Sequence, residues 1–305
     1  MRVLLLGARG AVGSVVRREL ERDGHSVTAA SRSDTEGRRV DLHGDLRSVS
    51  RLAADHDVVV NASGVERAEL ADAVAGVPLV DISATGSYLD ELRATASGPV
   101  VLGAGLVPGL STVLAGALAS RAGAELDIFV MLGTGEKHRP AAVDWTAGLV
   151  GTDLHRAPEG SPVRNLTESR RAVGPDGRSR RYLRADFPDH VLLESSGSII
   201  RTYLTLGSAP MTAALALVGR MPMLRGALAA APHIGSDAWH IIAQDRRSGE
   251  RLQASGRGQS LATGRLTALA AMRVAGAGHG AGHGAMTMAD LVTVDEALDL
   301  TRRWT

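Results

Sequence analysis

Residues 4–16 read LLLGARGAVGSVV. Gly7, Gly10 and Gly13 stand three apart, directly after an apolar run. A strand, a glycine turn and a helix in that order bring free helix N–H groups to the place where a dinucleotide pyrophosphate can sit. Gly10 would let the backbone approach the phosphates, and Gly13 would let the helix pack close to the sheet. The turn residues Gly7, Arg9, Gly10, Ala11, Val12 and Gly13 are therefore candidate cofactor contacts. The spacing is GxxGxxG rather than GxGxxG, so the turn alone is a weak signal. Its position ahead of four further strand–helix units strengthens it.

The end of the second strand selects the dinucleotide. An NAD site places an acid there, against the ribose hydroxyls. Here the strand ends AASRS, with Ser31, Arg32 and Ser33 and no acid before Asp34. An arginine at this point can grip a 2′-phosphate through a charge-assisted fork, which favours NADPH. A solvent-facing arginine in a polar turn is the alternative. Asp41 could meet the adenine amino group, or serve as an ordinary acid on the approach to a helix. The third strand ends in the small residues Asn61, Ala62, Ser63 and Gly64, which leave room for cofactor backbone and ribose.

Reduction of an imine or ketone needs a proton donor beside the carbon that receives hydride. The segment GTGEKHRPAAVDWTAG is the best place for one. It follows a strand and opens a helix, where α/β domains put reactive groups. Lys137 or His138 could donate a proton, Arg139 could hold a carboxylate, and Trp145 could form a wall; a solvated charged loop is the alternative. Lys137 is the chain's single lysine, so any lysine chemistry falls to it. Arg201 and Tyr203 lie two apart, on one face if the segment is a strand. They could pair a carboxylate-binding arginine with a phenol acid, or belong to a half-buried strand. The tyrosines are Tyr88, Tyr182 and Tyr203, and none lies four before Lys137, so the Tyr-x-x-x-Lys pair of short-chain dehydrogenases is absent. His279 and His283 have i,i+4 spacing, but their glycine-rich repeat is a poor helix and offers no third ligand. No metal site is expected.

These residues need a frame. RVLLL, HSVTAAS, DVVVNAS, PLVDIS and PVVLGAG read as strands, separated by amphipathic helices. Alternation of this kind makes a doubly wound parallel sheet, and the near-continuous apolar strands fit a sheet covered on both faces. After about residue 107 the rhythm changes. ELDIFVML and DAWHIIAQDRR read as strands, GERLQASGRG as a hairpin return, and QSLATGRLTALAAMRVAG as a long helix. Residues 156–189, polar and rich in arginine, suggest an extended loop or arm.

The motifs GARGAVG, DVVVNASG, VPLVDIS and GAGLVPGLSTVLAG, in that order, resemble the saccharopine dehydrogenase-like reductases. So does the late GRGQSLATGRLTALAAMRV. The resemblance covers most of residues 1–120 and 250–303 and is indistinct between about 135 and 245. It implies an α/β architecture: a Rossmann domain, expected over 1–107 and 289–305, and an α/β substrate domain over 108–288, with the C-terminal helix returning to the first. It also implies hydride transfer at the carbon of an imine, amine or ketone, and leaves the substrate open. In GAGLVPGLS, Gly105 lies in a sharp turn into a helix that begins near Gly109, whose free N–H groups could face the nicotinamide or a substrate carboxylate; a plain domain connection explains it too.

Composition removes other classes. The chain has no cysteine, which excludes disulfides, thiolate nucleophiles and Cys-ligated metals. Its net charge of +1 supplies no field for nucleic acid or membrane. MRVLLLG is too short an apolar run for a signal peptide, and Arg220, Pro222 and Arg225 interrupt the most apolar stretch. A cytoplasmic protein with a small-molecule substrate is expected. A mixed second sheet could pair across a homodimer. The leading expectation is an NADPH-dependent reductase of a C=N or C=O bond in a small polar, carboxylate-bearing substrate. The alternatives are an NADP-binding sensor without turnover, an enoyl reductase of a lipid-like substrate, and a short-chain-like isomerase, against which the missing Tyr–Lys pair argues.

Overall fold

The computed structural model describes residues 1–33, 38–119, 123–136, 145–228, 235–276 and 284–303. The chain divides into two compact units, Met1–Leu110 with Ser260–Thr293, and Ser111–Gln259 with Val294–Thr305.

The first unit is built on β1 (Arg2–Leu6), β2 (Ser26–Ala30), β3 (Val58–Asn61), β4 (Leu79–Asp81), β5 (Val100–Leu102) and β12 (Ala285–Thr287). The order is β12-β5-β4-β3-β1-β2, and every pairing is parallel. Leu4 and Leu5 are fully buried, as are Val58, Val59 and Val60. Consecutive strand residues point to opposite faces, so both faces of the sheet are covered. The helices α1 (Ala11–Arg22), α2 (Arg47–Ala53), α3 (Leu70–Ala73) and α4 (Gly86–Thr95) connect the strands. The helix Gln259–Gly276 lies against α1 so closely that a Cβ on Gly264 would stand 2.6 Å from Val15. This is the doubly wound sheet expected from the alternating sequence. The chain returns to it through that helix and β12, while the last helix, Val294–Arg302, groups with the second unit.

The second unit holds β6 (Glu125–Leu132), β7 (Ser169–Val173), β8 (Ser179–Arg184), β9 (Ile199–Leu206), β10 (Ala238–Asp245) and β11 (Arg251–Arg257) in the order β11-β10-β6-β9-β8-β7. Strands β6 and β9 are parallel and the other pairs antiparallel. The arginine-rich segment expected as a loop contributes the β7–β8 hairpin instead. Its alternation is hidden because arginines occupy inward as well as outward positions: Arg184 is fully buried.

This sheet is curled. In a flat sheet, β7 and β11 would lie roughly 24 Å apart, five strand spacings. Yet the Arg251 guanidinium on β11 donates to the Val173 carbonyl on β7 at 2.7 Å. Arg170 of β7 likewise reaches Asp127 of β6 across two intervening strands. The curl encloses Phe129, Met131, Tyr182, Tyr203 and Ile242. At one end Tyr182 hydrogen-bonds His240 Nε2 at 2.8 Å. Burial, then the positive charge of Arg180, lowers the His240 pKa to about 4. Asp176 acts in the opposite sense, and Arg251 in the same sense as Arg180.

The unfolded chain takes up this proton near pH 6.5 and the folded chain only near 4, so His240 favours the fold above about pH 6.5 and loses that contribution as pH falls. Stability should drop by about 2 kcal/mol between pH 7.5 and pH 5 from this group alone. His240→Gln, which retains an acceptor for Tyr182, should flatten that part of the profile in urea titrations. An unchanged profile would assign the acid sensitivity elsewhere.

Candidate functional site

The turn between β1 and α1 is shaped by contacts that exclude side chains. Gly7 has φ +84°, and a Cβ there would lie 2.3 Å from the Ala62 carbonyl oxygen at the end of β3. A Cβ on Gly13 would lie 2.2 Å from the Gly7 carbonyl oxygen. The expected close packing of helix on sheet at Gly13 therefore takes the form of contact with the turn itself. Gly10 differs. Its added Cβ would be 3.1 Å from the Gly7 oxygen, 3.7 Å from the Ala62 oxygen and 4.0 Å from the Gly13 nitrogen.

Gly10 is also the N-cap of α1, in an extended conformation and with no side-chain cap. The first intrahelical bond runs from Ser14 N–H to the Gly10 carbonyl. The N–H groups of Ala11, Val12 and Gly13 belong to the turn whose donors an α-helix leaves without internal partners. Arg9 lies beside this helix start and donates to Ser33 Oγ at 2.7 Å. Ser33 Oγ is 3.5 Å from Ser31 Oγ. Arg9, Ser31 and Ser33 thus meet at the end of β2, with Arg32 exposed between the serines. The chain then pairs back, Val40 N–H donating to the Ser31 carbonyl at 3.1 Å.

Asp41 turns its carboxylate onto its own loop, accepting from the His43 N–H at 3.1 Å. Arg67 holds the same loop through the carbonyls of Leu42 and Gly44, at 3.0 and 2.8 Å. At the end of β3, Asn61 faces inward. Its amide donates to Asp81 at 2.7 Å and to the Val65 carbonyl at 3.1 Å, and its oxygen accepts from the Ser63 hydroxyl at 2.6 Å. Gly64, at φ +76°, completes this bend. Asp81 is fully buried and also accepts from Ser83 N–H and the Tyr88 hydroxyl, at 2.7 and 2.9 Å. Burial raises the Asp81 pKa, and burial together with the Asp81 charge raises that of Tyr88. The sequence reading missed the part played by Asp81 and Tyr88; an acid closing an otherwise apolar strand was the available signal. Gly105 sits in a loop folded on itself: a Cβ on Gly109 would be 2.0 Å from the Gly105 oxygen, and one on Gly105 would be 3.1 Å from Thr263.

No family model matches the chain, and no curated protein matches it. Solved structures do. A meso-dapdh mutant with DAP from Clostridium tetani E88 aligns over 97% of this chain and 95% of its own, at 11% identity and a TM-score of 0.50. DAP dehydrogenase of C. glutamicum in complex with DAP aligns over 96% and 94%, at 16% identity and 0.48. An engineered D-amino acid dehydrogenase bound to NADP+ aligns over 96% and 94%, at 15% and 0.47. The likeness is one of fold. It extends over both units, and the Rossmann unit with a mixed α/β second unit is the architecture the resemblance implied.

The remaining candidates lie in the second unit. Lys137, His138 and Arg139 fall outside the described residues, as do His279 and His283. Trp145 packs on Phe187 with ring centroids 4.8 Å apart. Arg201 and Tyr203 share a face of β9, as their spacing required, but both are engaged within the unit. Arg201 pairs with Glu159 at 2.9 Å and Glu125 at 3.3 Å. Tyr203 is 3% exposed, stacks on Phe129 and accepts from Arg246 at 3.3 Å. Burial raises its pKa. Among the described residues no group of three or more His, Cys, Asp or Glu side chains could hold a metal, and no helix is long and apolar enough to cross a membrane.

The turn geometry separates two substitutions. Gly13→Ala should destabilise the chain by about 2 kcal/mol or more, because backbone must move. Gly10→Ala should cost less than about 1 kcal/mol, as its φ of −69° suits alanine and the contact is looser. Thermal melts of the two variants measure the difference, and equal losses would contradict it.

Proposed function

We propose that this protein is an NADPH-dependent reductase, transferring hydride to the C=N or C=O bond of a small polar, carboxylate-bearing substrate. The observation that carries the cofactor reading is the bare start of α1. Its N-cap has no side chain, and a Cβ at Gly10 would stand 3.1 Å from the Gly7 oxygen, 3.7 Å from the Ala62 oxygen and 4.0 Å from the Gly13 nitrogen. A pyrophosphate fits such a cradle, since backbone donors and the helix dipole both favour an anion. Ala11, Val12 and Gly13 would donate to it. Arg9 and Arg32, with the hydroxyls of Ser31 and Ser33, would hold a 2′-phosphate at the end of β2. Gly105 and the bend Asn61–Gly64 would border the nicotinamide half, with Ala62, Ser63 and Gly64 facing it and Asn61 holding their shape. Bound NADPH supplies the hydride.

The substrate reading rests on fewer residues. Arg201 is neutralised by Glu125 and Glu159, and the Tyr203 hydroxyl lies beside Arg246 in the sheet interior. The roles of proton donor and carboxylate anchor therefore stay with Lys137, His138 and Arg139, with Trp145 as wall. Lys137 or His138 would protonate the nitrogen or oxygen as hydride reaches carbon, and Arg139 would orient the carboxylate. The whole-chain likeness in fold to the meso-dapdh mutant fits a two-unit oxidoreductase architecture and chooses neither the substrate nor these residues.

Calorimetric titration should give NADPH at least a tenfold tighter Kd than NADH, the effect of one charge-assisted contact worth roughly 1.5–3 kcal/mol. Arg32→Ala and Arg9→Ala should each narrow the gap, and Gly10→Ala should weaken both cofactors while the fold persists. Equal affinities in the parent chain would overturn the NADPH reading. NADPH oxidation should then be followed with pairs of a keto acid and an amine, with ketones, and with α,β-unsaturated thioesters. Oxidation by the thioesters alone would replace the imine or carbonyl reading with enoyl reduction. Tight NADPH binding without oxidation in any panel would favour a sensor.

A further inference from the structure

The second unit contains a cavity of about 290 Å³ that none of the residues discussed for hydride transfer lines. Arg156 and Glu194 line it and form an ion pair, each side chain about half exposed. Its interior is formed in part by Pro158, Val191 and Ile199. His190 is a wall rather than a reacting group, because its ring nitrogens face the carbonyl oxygens of His155 and Phe187, at 2.7 and 3.2 Å. Ser198 also lines the cavity, with its hydroxyl turned into the protein and away from solvent.

We propose that this cavity binds a small zwitterion of the α-amino acid type, its carboxylate on Arg156 and its ammonium on Glu194. A half-exposed ion pair contributes little to stability, so opening it costs little. An anion taking Arg156 alone would leave Glu194 unpaired and repelling it; a cation on Glu194 would do the reverse with Arg156. A ligand carrying both charges replaces both partners at once. The volume lies at the lower edge of the range for small-molecule pockets, which fits a ligand of few heavy atoms and is far too small for a dinucleotide. Pro158, Val191 and Ile199 provide an apolar wall for a short aliphatic side chain. Arg156 itself has φ +48°, a left-handed conformation that a side chain other than glycine adopts at a cost.

The test uses the full chain without dinucleotide, so its result is independent of the reductase reading. Racemic valine, N-acetylvaline and valinamide are titrated by calorimetry. Valine should bind, and the two derivatives, each lacking one charge, should bind at least about tenfold more weakly. Arg156→Gln and Glu194→Gln, both at half-exposed positions, should each weaken valine to the same degree with unchanged thermal melts. No detectable valine binding, equal binding of all three compounds, or valine binding that survives both substitutions would overturn the proposal.

Discussion

The backbone of the first turn is in contact with itself and with the neighbouring strand, and much of the first unit follows from that closeness. Gly7 abuts the Ala62 carbonyl, and Gly13 abuts the Gly7 carbonyl. Any side chain at either position would lift α1 from the sheet. With both glycines present, the helix begins at the carboxyl end of β1, beside β3, where strand order reverses direction across the sheet. A capping serine or aspartate would satisfy its donors and is typically worth about 1 kcal/mol to a helix. The chain places Gly10 there instead. The helix start is then stabilised most by an acceptor from outside, which is the condition an anion site needs.

Two buried carboxylates show how the units solve the same problem differently. Asp81 is surrounded by neutral donors, the Asn61 amide, Ser83 N–H and Tyr88 hydroxyl. Its burial is only partly compensated, and its pKa is raised. The bonds nonetheless join the ends of β3 and β4 and fix the Asn61–Val65 bend. Asp127 is 3% exposed and lies between two guanidiniums, those of Arg170 and Arg246. There the neutralisation is ionic, and it serves closure: Arg170 ties β7 toward β6, and Arg246 continues to Glu125 and the Tyr203 hydroxyl. One network is local and holds the bend at the end of β3. The other draws together distant strands of a curled sheet.

The first unit was legible because its signals are local. Apolar runs such as Val58–Val60 mark strands buried on both faces, and the glycines of the first turn announce a close approach. At the start of α2 Leu46 occupies the N-cap position, and the preceding Asp45 accepts from the Arg47 N–H. The second unit was harder. In β7 and β8 the arginines read as loop residues, since charge normally faces solvent. Only tertiary partners, Asp127 for Arg170 and Glu159 for Arg184, make those strands possible. Spacing placed Arg201 and Tyr203 on one face correctly, but no local pattern could reveal that Glu125 and Glu159 already occupy the arginine. Asp81 ended its strand in plain view, yet its three partners come from the end of β3, the loop after β4 and α4.

The near-exclusive use of arginine has a structural consequence. A guanidinium presents several donors in a fixed plane and can bridge acids that an ammonium would serve one at a time. Arg201 links Glu125 to Glu159, and Arg246 links Asp127 to Glu125. Arg184, fully buried, adds Glu159, the Thr202 carbonyl and the face of the Tyr203 ring. Burial lowers its pKa, yet a guanidinium starts high enough to stay charged where a lysine would be more readily neutralised. The same feature narrows the search for substrate contacts. Arginines inside this network balance internal acids, and removing one would strand a carboxylate in the sheet. Recognition of a substrate carboxylate is better separated from that structural task.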